Sequence, residues 1–244
     1  MRKPFPQTIL ESPDDDRLRL VYADWLEEHG EPKRAEFIRV QINLERLGPS
    51  HSSYAELEDR QDELLAEYEA DWLGPPPPSL VEWTFRRGFV EEIVVNGWLP
   101  GEHYHDLYAK HPARNAEFRS LWGVQGLAHF QGLGYLRKLY VNGSIHDVAG
   151  VARLLTERKL THLSSLWLSG AAAGDGLVAA LLRSPRAQQL HEILLSDISP
   201  DVLQQFCRER ALSQITSLGL DDLEGKKANA CLDVVLEHDI PSAP

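Results

Sequence analysis

Along residues 12–72, apolar side chains recur every three to four positions, which predicts three amphipathic helices. The first is read from "SPDDDRLRLVYADWLEEHG": Ser12 is the expected N-cap, Pro13 suits the first turn, and Asp14, Asp15 and Asp16 complement the positive helix end. Gly30 is the expected stop, and Leu18, Val21, Tyr22 and Trp25 form the expected buried stripe. The second helix is expected from Pro32 to Gly48, with Phe37, Val40, Leu44 and Leu47 on one face. The third is expected from Ser53 to Trp72, with Leu57, Leu64, Leu65, Tyr68 and Trp72 inward. Beyond them the period changes to two. In "LVEWTFRRGFVEEIVV", Val81, Trp83 and Phe85 alternate, "RRG" suits a turn and Phe89 opens a second strand, which predicts a hairpin.

Short segments of the form apolar-x-x-apolar-x-apolar then recur. They are "VEEIVV" from Val90, "FRSLWG" from Phe118, "LRKLYV" from Leu136, "LSSLWL" from Leu163, "LHEILL" from Leu190 and "ITSLGL" from Ile215. Their starts lie 28, 18, 27, 27 and 25 residues apart, the 18-residue interval reading as one truncated repeat. Periods of about 20–29 around this core are the leucine-rich-repeat signature. The longer intervals hold helical patterns, such as "SPDVLQQFCRERAL", so each repeat is expected to be a strand followed by a helix. Leucine-rich repeats usually carry Asn or Cys three residues after the last strand leucine; here those positions hold Trp98, Gly126, Ser144, Ala171, Ile198 and Leu223, so the expected solenoid is irregular.

The expected fold is therefore α/β: an N-terminal helical domain over residues 1–78, then a short leucine-rich-repeat solenoid with a parallel concave sheet over residues 79–244. The hairpin at 79–95 is the expected N-terminal cap, and a helix at 224–240 the C-terminal one, because terminal repeats have no neighbour to bury their faces. The boundary is placed at "GPPPPS", Gly74 to Ser79, where four prolines favour a stiff connector. Charge changes there too. Residues 1–78 hold 18 acidic and 9 basic side chains, half of the 18 unbalanced, within a chain of net charge −12.

The stretch "LRLVYADWLEEHGEPKRAEFIRVQINLERL" resembles the repeat-companion domain of bacterial proteins, over about residues 10–47. "DWLGPPPP" and "WTFRRGFVEEIVV" fit what often follows that domain. The resemblance implies a bacterial multi-gene family, a non-catalytic helical module and repeats downstream. Tyr22, Asp24, Trp25 and Glu28 in this stretch are read as helix core with its solvated flank.

Strand alternation places the third and fifth residues of each repeat segment on the outer, concave face. The fifth positions are Val94, Trp122, Tyr140, Trp167, Leu194 and Gly219. Trp122, Tyr140, Trp167 and Leu194, flanked by Arg119, Arg137 and Lys138, are the candidate protein-binding residues, since Trp, Tyr and Arg dominate binding hot spots. Stacking of the rings on one another, or cover of the row by the N-terminal helices, is the alternative. The acidic chain is a poor partner for nucleic acid, it has no run of 18 apolar residues to span a membrane, and its N-terminus lacks the apolar core of a signal peptide. A cytoplasmic, monomeric adaptor without cofactor or metal is the expectation. Cys207 and Cys231 are read as separate buried thiols. "EHYHD", Glu102 to Asp106, with His111, is read as polar surface instead of a metal site, and no motif for phosphate binding or nucleophilic catalysis is present. The expected function is non-catalytic binding of a protein; the alternatives are an inhibitor or regulatory adaptor of a co-encoded effector enzyme, and a protease substrate that releases a signal.

Overall fold

The computed structural model describes residues 5–97, 104–119, 131–142, 160–169, 189–196, 199–208 and 216–221, with Ala179 and Ser184. The protein is a mixed α/β chain of helices and a mostly parallel sheet. It divides into two compact units: Met1–Ile93 with Tyr104–Ala113, and Val94–His103 with Arg114–Pro244. Packing and composition therefore divide the chain differently, because the hairpin expected to begin the second domain at residue 79 groups with the helices.

The first unit opens with α1 (Phe5–Glu11), which buries Ile9 and Leu10. Helix α2 (Asp16–Glu28) starts later than expected. Its N-cap is Asp15, whose carboxylate accepts the Arg17 N–H at 3.0 Å, while Ser12 closes α1 through its N–H to the Thr8 carbonyl. The buried face of α2 is also rotated from the expected stripe: Arg19, Tyr22, Ala23 and Leu26 are inside, and Val21 is 50% exposed. At the other end Gly30 has φ 84°, the left-handed geometry a helix stop favours.

Helix α3 (Pro32–Leu47) is buried more broadly than a single stripe, through Ala35, Phe37, Ile38, Val40 and Ile42 with the polar Arg34 and Gln41. Leu47, expected inside, is exposed, and Leu44 is only half-buried. This breadth follows from position, since α3 packs against both α2 and α4 (Tyr54–Leu73). Helix α4 buries Leu64 and Leu73, leaving Leu57, Leu65, Tyr68 and Trp72 half-covered.

Strands β1 (Leu80–Arg86) and β2 (Phe89–Asn96) are joined by a two-residue turn. Arg87 and Gly88 have φ 49° and 88°, the paired positive values of a type I′ hairpin. Two side chains of α3 hold this turn. Gln41 accepts the Gly88 N–H at 2.6 Å and donates to the Phe85 carbonyl at 2.9 Å, and Arg34 donates to the Gly88 carbonyl. A short helix, α5 (His105–Tyr108), completes the unit.

In the second unit the end of β2 is followed, in sheet order, by β3 (Asn115–Arg119), β4 (Lys138–Asn142), β5 (Ser165–Ser169), β6 (Glu192–Ser196) and β7 (Ser217–Asp221). The pairs from β3 to β7 are parallel. A 3₁₀ turn (Gln131–Tyr135) precedes β4, and α6 (Pro200–Arg208) follows β6.

The strands repeat one hydrogen-bond pattern at their leading edge. The Arg114 carbonyl accepts the N–H groups of Arg137 and Lys138; Arg137 accepts those of Ser164 and Ser165; Ser164 accepts those of His191 and Glu192; His191 accepts those of Thr216 and Ser217. Ser164 and Thr216 add hydroxyl bonds to the same carbonyls, at 3.2 and 3.1 Å. The inward residues are buried in turn: Leu136, Leu139 and Val141, then Leu163, Leu166 and Leu168, then Leu190 and Ile193.

The first of these strands corrects the expected register. Ala116 pairs with Leu139 and Phe118 with Val141, so the inward set of β3 is Ala113, Ala116 and Phe118, all buried. Phe118 is the last inward position of its segment and not the first. The equivalent positions Ala116, Leu139, Leu166, Ile193 and Leu218 are spaced 23, 27, 27 and 25 residues apart, and the apparent 18-residue repeat disappears. The expected C-terminal helix at 224–240, the Asn-equivalent positions, Cys231 and the Cys207 side chain lie outside the described residues.

Candidate functional site

The outward face of the parallel strands carries the row that alternation anticipates, with one change. The registered neighbours are Glu117, Tyr140, Trp167, Leu194 and Gly219. Glu117 stands where Trp122 was expected, five residues too far along the chain; Trp122 itself lies outside the described residues. Alternation puts these side chains opposite the buried leucines, and Tyr140, Trp167 and Leu194 are each half-buried.

Tyr140 and Trp167 meet edge to face, their ring centroids 5.6 Å apart and their planes at 71°. This is a favourable arrangement for the opposite charges of ring edge and ring face. The Trp167 indole Nε1–H is shielded from solvent and has no hydrogen-bond acceptor among the described residues. Leu194 continues the apolar strip on β6, and Gly219 leaves its far side without a side chain.

A polar row runs beside it: Asn115, Lys138, Ser165, Glu192 and Ser217. Ser165 donates its hydroxyl to Glu192 at 2.7 Å. Lys138 and Arg137 are exposed at the start of β4. Arg119 stands in register with Asn142 and is drawn to Glu117, with Nε 2.6 Å from the carboxylate, so the two charges close on each other at the β3 end. The structure thus brings Tyr140, Trp167 and Leu194 together, with Lys138 beside them and Arg119 across from the aromatic pair. Glu117 was missed by sequence reasoning because the alanine-containing segment gave the weaker hydropathy signal.

The remaining sequence candidates have structural surroundings in the first unit. Tyr22 is core, and Asp24 and Glu27 both receive Arg39, at 2.6 and 2.7 Å. His111, expected on a polar surface, is buried edge-on to the rings of Phe85 and Phe89, and its Nδ1 accepts the Val90 N–H at 3.2 Å. Burial pulls its pKa down from 6.5 to about 3, the nearby Arg34 charge acting in the same direction. Arg34 is caged by four rings, 4.7 Å from the centroid of Trp72 and 5.5 Å from those of Phe37, Phe85 and Phe89. Burial lowers its pKa to about 9, so it remains a cation at neutral pH. Tyr104 is buried with its hydroxyl 3.0 Å from Ser79, and burial raises it to about 12.

His111 gives a signed pH prediction. The folded chain keeps it neutral while the unfolded chain protonates it below pH 6.5, so its effect on stability is absent above that pH and grows unfavourable on acidification towards about pH 3. The slope is ~1.4 kcal/mol per pH unit. In urea melts, His111→Gln, which keeps an acceptor for Val90, should lose about 2 kcal/mol less than the wild type between pH ~7 and pH ~5. Equal losses would show that His111 does not govern that window.

No family model, no curated protein and no solved structure matches this chain. Among the described residues, no helix is long and apolar enough to cross a membrane.

Proposed function

We propose that this chain is a non-catalytic protein-interaction module whose second unit is a short leucine-rich-repeat solenoid, with Tyr140, Trp167 and Leu194 as the binding row on its concave face. The observation that carries the reading is the registered, half-buried Tyr140–Trp167–Leu194 row lying outside the leucine core. The repeated carbonyl ladder and the 23–27-residue spacing support the repeat assignment. The first unit is the helical companion domain, and the protein acts in a bacterial cytoplasm as an adaptor. Inhibition of a co-encoded enzyme is the same binding event with a different consequence.

A ring kept only for stacking would be as well served by Phe. The Trp167 N–H is instead shielded without an acceptor among the described residues, and an unpaired buried donor costs about 1–3 kcal/mol. Trp167→Phe should therefore melt no lower than the wild type. Trp167→Ala should cost about 1–2 kcal/mol, as a half-covered, stacked residue. Leu166→Ala, inward and fully buried, should cost ~2–5 kcal/mol. Binding should follow the opposite order: a protein co-purified from the native host should be lost with Trp167→Ala and kept by whatever Leu166→Ala remains folded. A Trp167→Ala variant that retains the partner at wild-type affinity would remove this row from the interface.

A further inference from the structure

Residues Tyr104–Ala113 belong to the first unit although the chain has already entered the second over Val94–His103. They return to it as a strap. Tyr104, Leu107, Tyr108 and Ala113 are buried, and the Tyr104 hydroxyl meets that of Ser79 at 3.0 Å. The apolar cluster that joins α2, α3 and the hairpin, with Tyr22, Leu26, Ile38, Ile42 and Phe89, holds no residue of this strap. His111 ties the strap to the hairpin instead: its Nδ1 accepts the Val90 N–H at 3.2 Å, and its ring stands edge-on to Phe85 and Phe89.

Since Val90 is the donor, Nδ1 is bare and the ring proton sits on Nε2. A second proton would go to Nδ1, turn the acceptor into a donor and set it against the Val90 N–H. The groups around the ring also oppose that proton. Burial disfavours the charged ring most, and the Arg34 guanidinium of α3 adds to it; together they outweigh the Trp72 and Leu73 carbonyls at the end of α4, which draw the proton. Lys110, on the strap itself, is a second cation. Glu91, next to Val90 on β2, is taken by Arg19 at 2.7 Å and Arg87 at 2.9 Å. Tyr104 and Tyr108 stay neutral, burial raising both phenols, while His105 and Asp106 stand in water.

We infer that His111 is a proton-released latch: protonation of its ring on acidification frees the Tyr104–Ala113 strap from the hairpin while α2 and α3 stay packed. The acid-sensitive element is then one segment and not the whole unit. Its departure leaves the Val90 N–H without its acceptor and takes the imidazole away from the Phe85 and Phe89 rings.

Hydrogen exchange of the full chain, read by mass spectrometry and divided by the intrinsic rate at each pH, tests the latch. The closed strap binds the proton only near pH 3 and the released one near 6.5, so closure is fully stable above 6.5 and weakens as the pH falls. Between pH ~7 and pH ~5 the opening of the strap should rise about 25-fold, while peptides of α3 keep their protection. In His111→Gln, which retains an acceptor for Val90, that rise should vanish. Tyr104→Phe removes the bond to Ser79 and should speed strap exchange by the same factor at every pH, which keeps the test open if His111→Gln folds poorly; a smaller acid response in Tyr104→Phe would count against the latch. Strap and α3 opening together as the pH falls, or an acid rise that survives in His111→Gln, would overturn the inference.

Discussion

Gly88→Ala should destabilise the first unit by about 3 kcal/mol or more. A Cβ at this position would lie 2.3 Å from Ile38 Cγ1, 3.0 Å from its Cβ and 3.1 Å from its Cα. The last of these is backbone of α3 and cannot swing away as a side-chain tip could. The residue also sits at φ 88°, where any side chain adds roughly 1–2 kcal/mol of strain. Its N–H and carbonyl are both held, by Gln41 and Arg34, so the turn has no room to move outward without losing two buried hydrogen bonds. Chemical melts of Gly88→Ala beside Gly97→Ala separate clash from strain: Gly97 has φ 86° with no atom of the described residues within 4 Å of a Cβ there and should cost only the backbone part. Similar losses in the two variants would mean that α3 yields to the new methyl group.

The second large effect is expected at Arg19, a fully buried cation. Its guanidinium donates to the Pro13 carbonyl at 2.7 Å, the Arg87 carbonyl at 3.0 Å and the Glu91 carboxylate at 2.7 Å. Arg87 reaches the same carboxylate at 2.9 and 3.0 Å, so one buried anion is matched by two cations of the same unit. Arg19→Met keeps the packed stem and removes the charge. Two part-buried carbonyls then lose a donor and the buried Glu91 loses half its neutralisation, for which ~3–5 kcal/mol is the ordinary cost of breaking a buried pair from one side. Arg19→Lys should recover little, because a single ammonium cannot reach three acceptors set in a fork. Urea melts of both variants decide this, and a loss below about 1 kcal/mol for Arg19→Met would show that Arg87 alone satisfies Glu91.

The same residue shows where reading the chain by hydropathy stops. Helices α2, α3 and α4, the turn at Arg87–Gly88 and the strands β4 to β6 were all legible, because local signals set them: apolar positions three to four apart, prolines, a glycine in a turn and alternation of period two. The face of α2 was not. Counting Arg19 as solvated rotates the expected stripe towards Val21, whereas Glu91, 72 residues away, takes Arg19 inside and leaves Val21 in water. His111 was misplaced for the same reason, since only the neighbouring Phe85, Phe89 and Val90 N–H make a histidine a core residue.

The row of Tyr140, Trp167 and Leu194 was legible because alternation alone carries a residue to one face of a strand, and equal repeat lengths then carry it to the same rung. The rung on β3 was not, since two inward alanines bury too little area to mark a strand, while the "FRSLWG" segment five residues on imitates one. The sequence by itself determined that α2, α3 and α4 are helices, that the hairpin and β4 to β6 are strands, and which face of β4, β5 and β6 lies outward, because those choices depend on neighbours within a few residues. Only the tertiary structure decided the register of β3, the burial of Arg19, Arg34 and His111, and the union of the hairpin with the helices. Each of these rests on partners that are remote along the chain and close in space, and a buried charge or a small buried side chain is stable only where such partners stand.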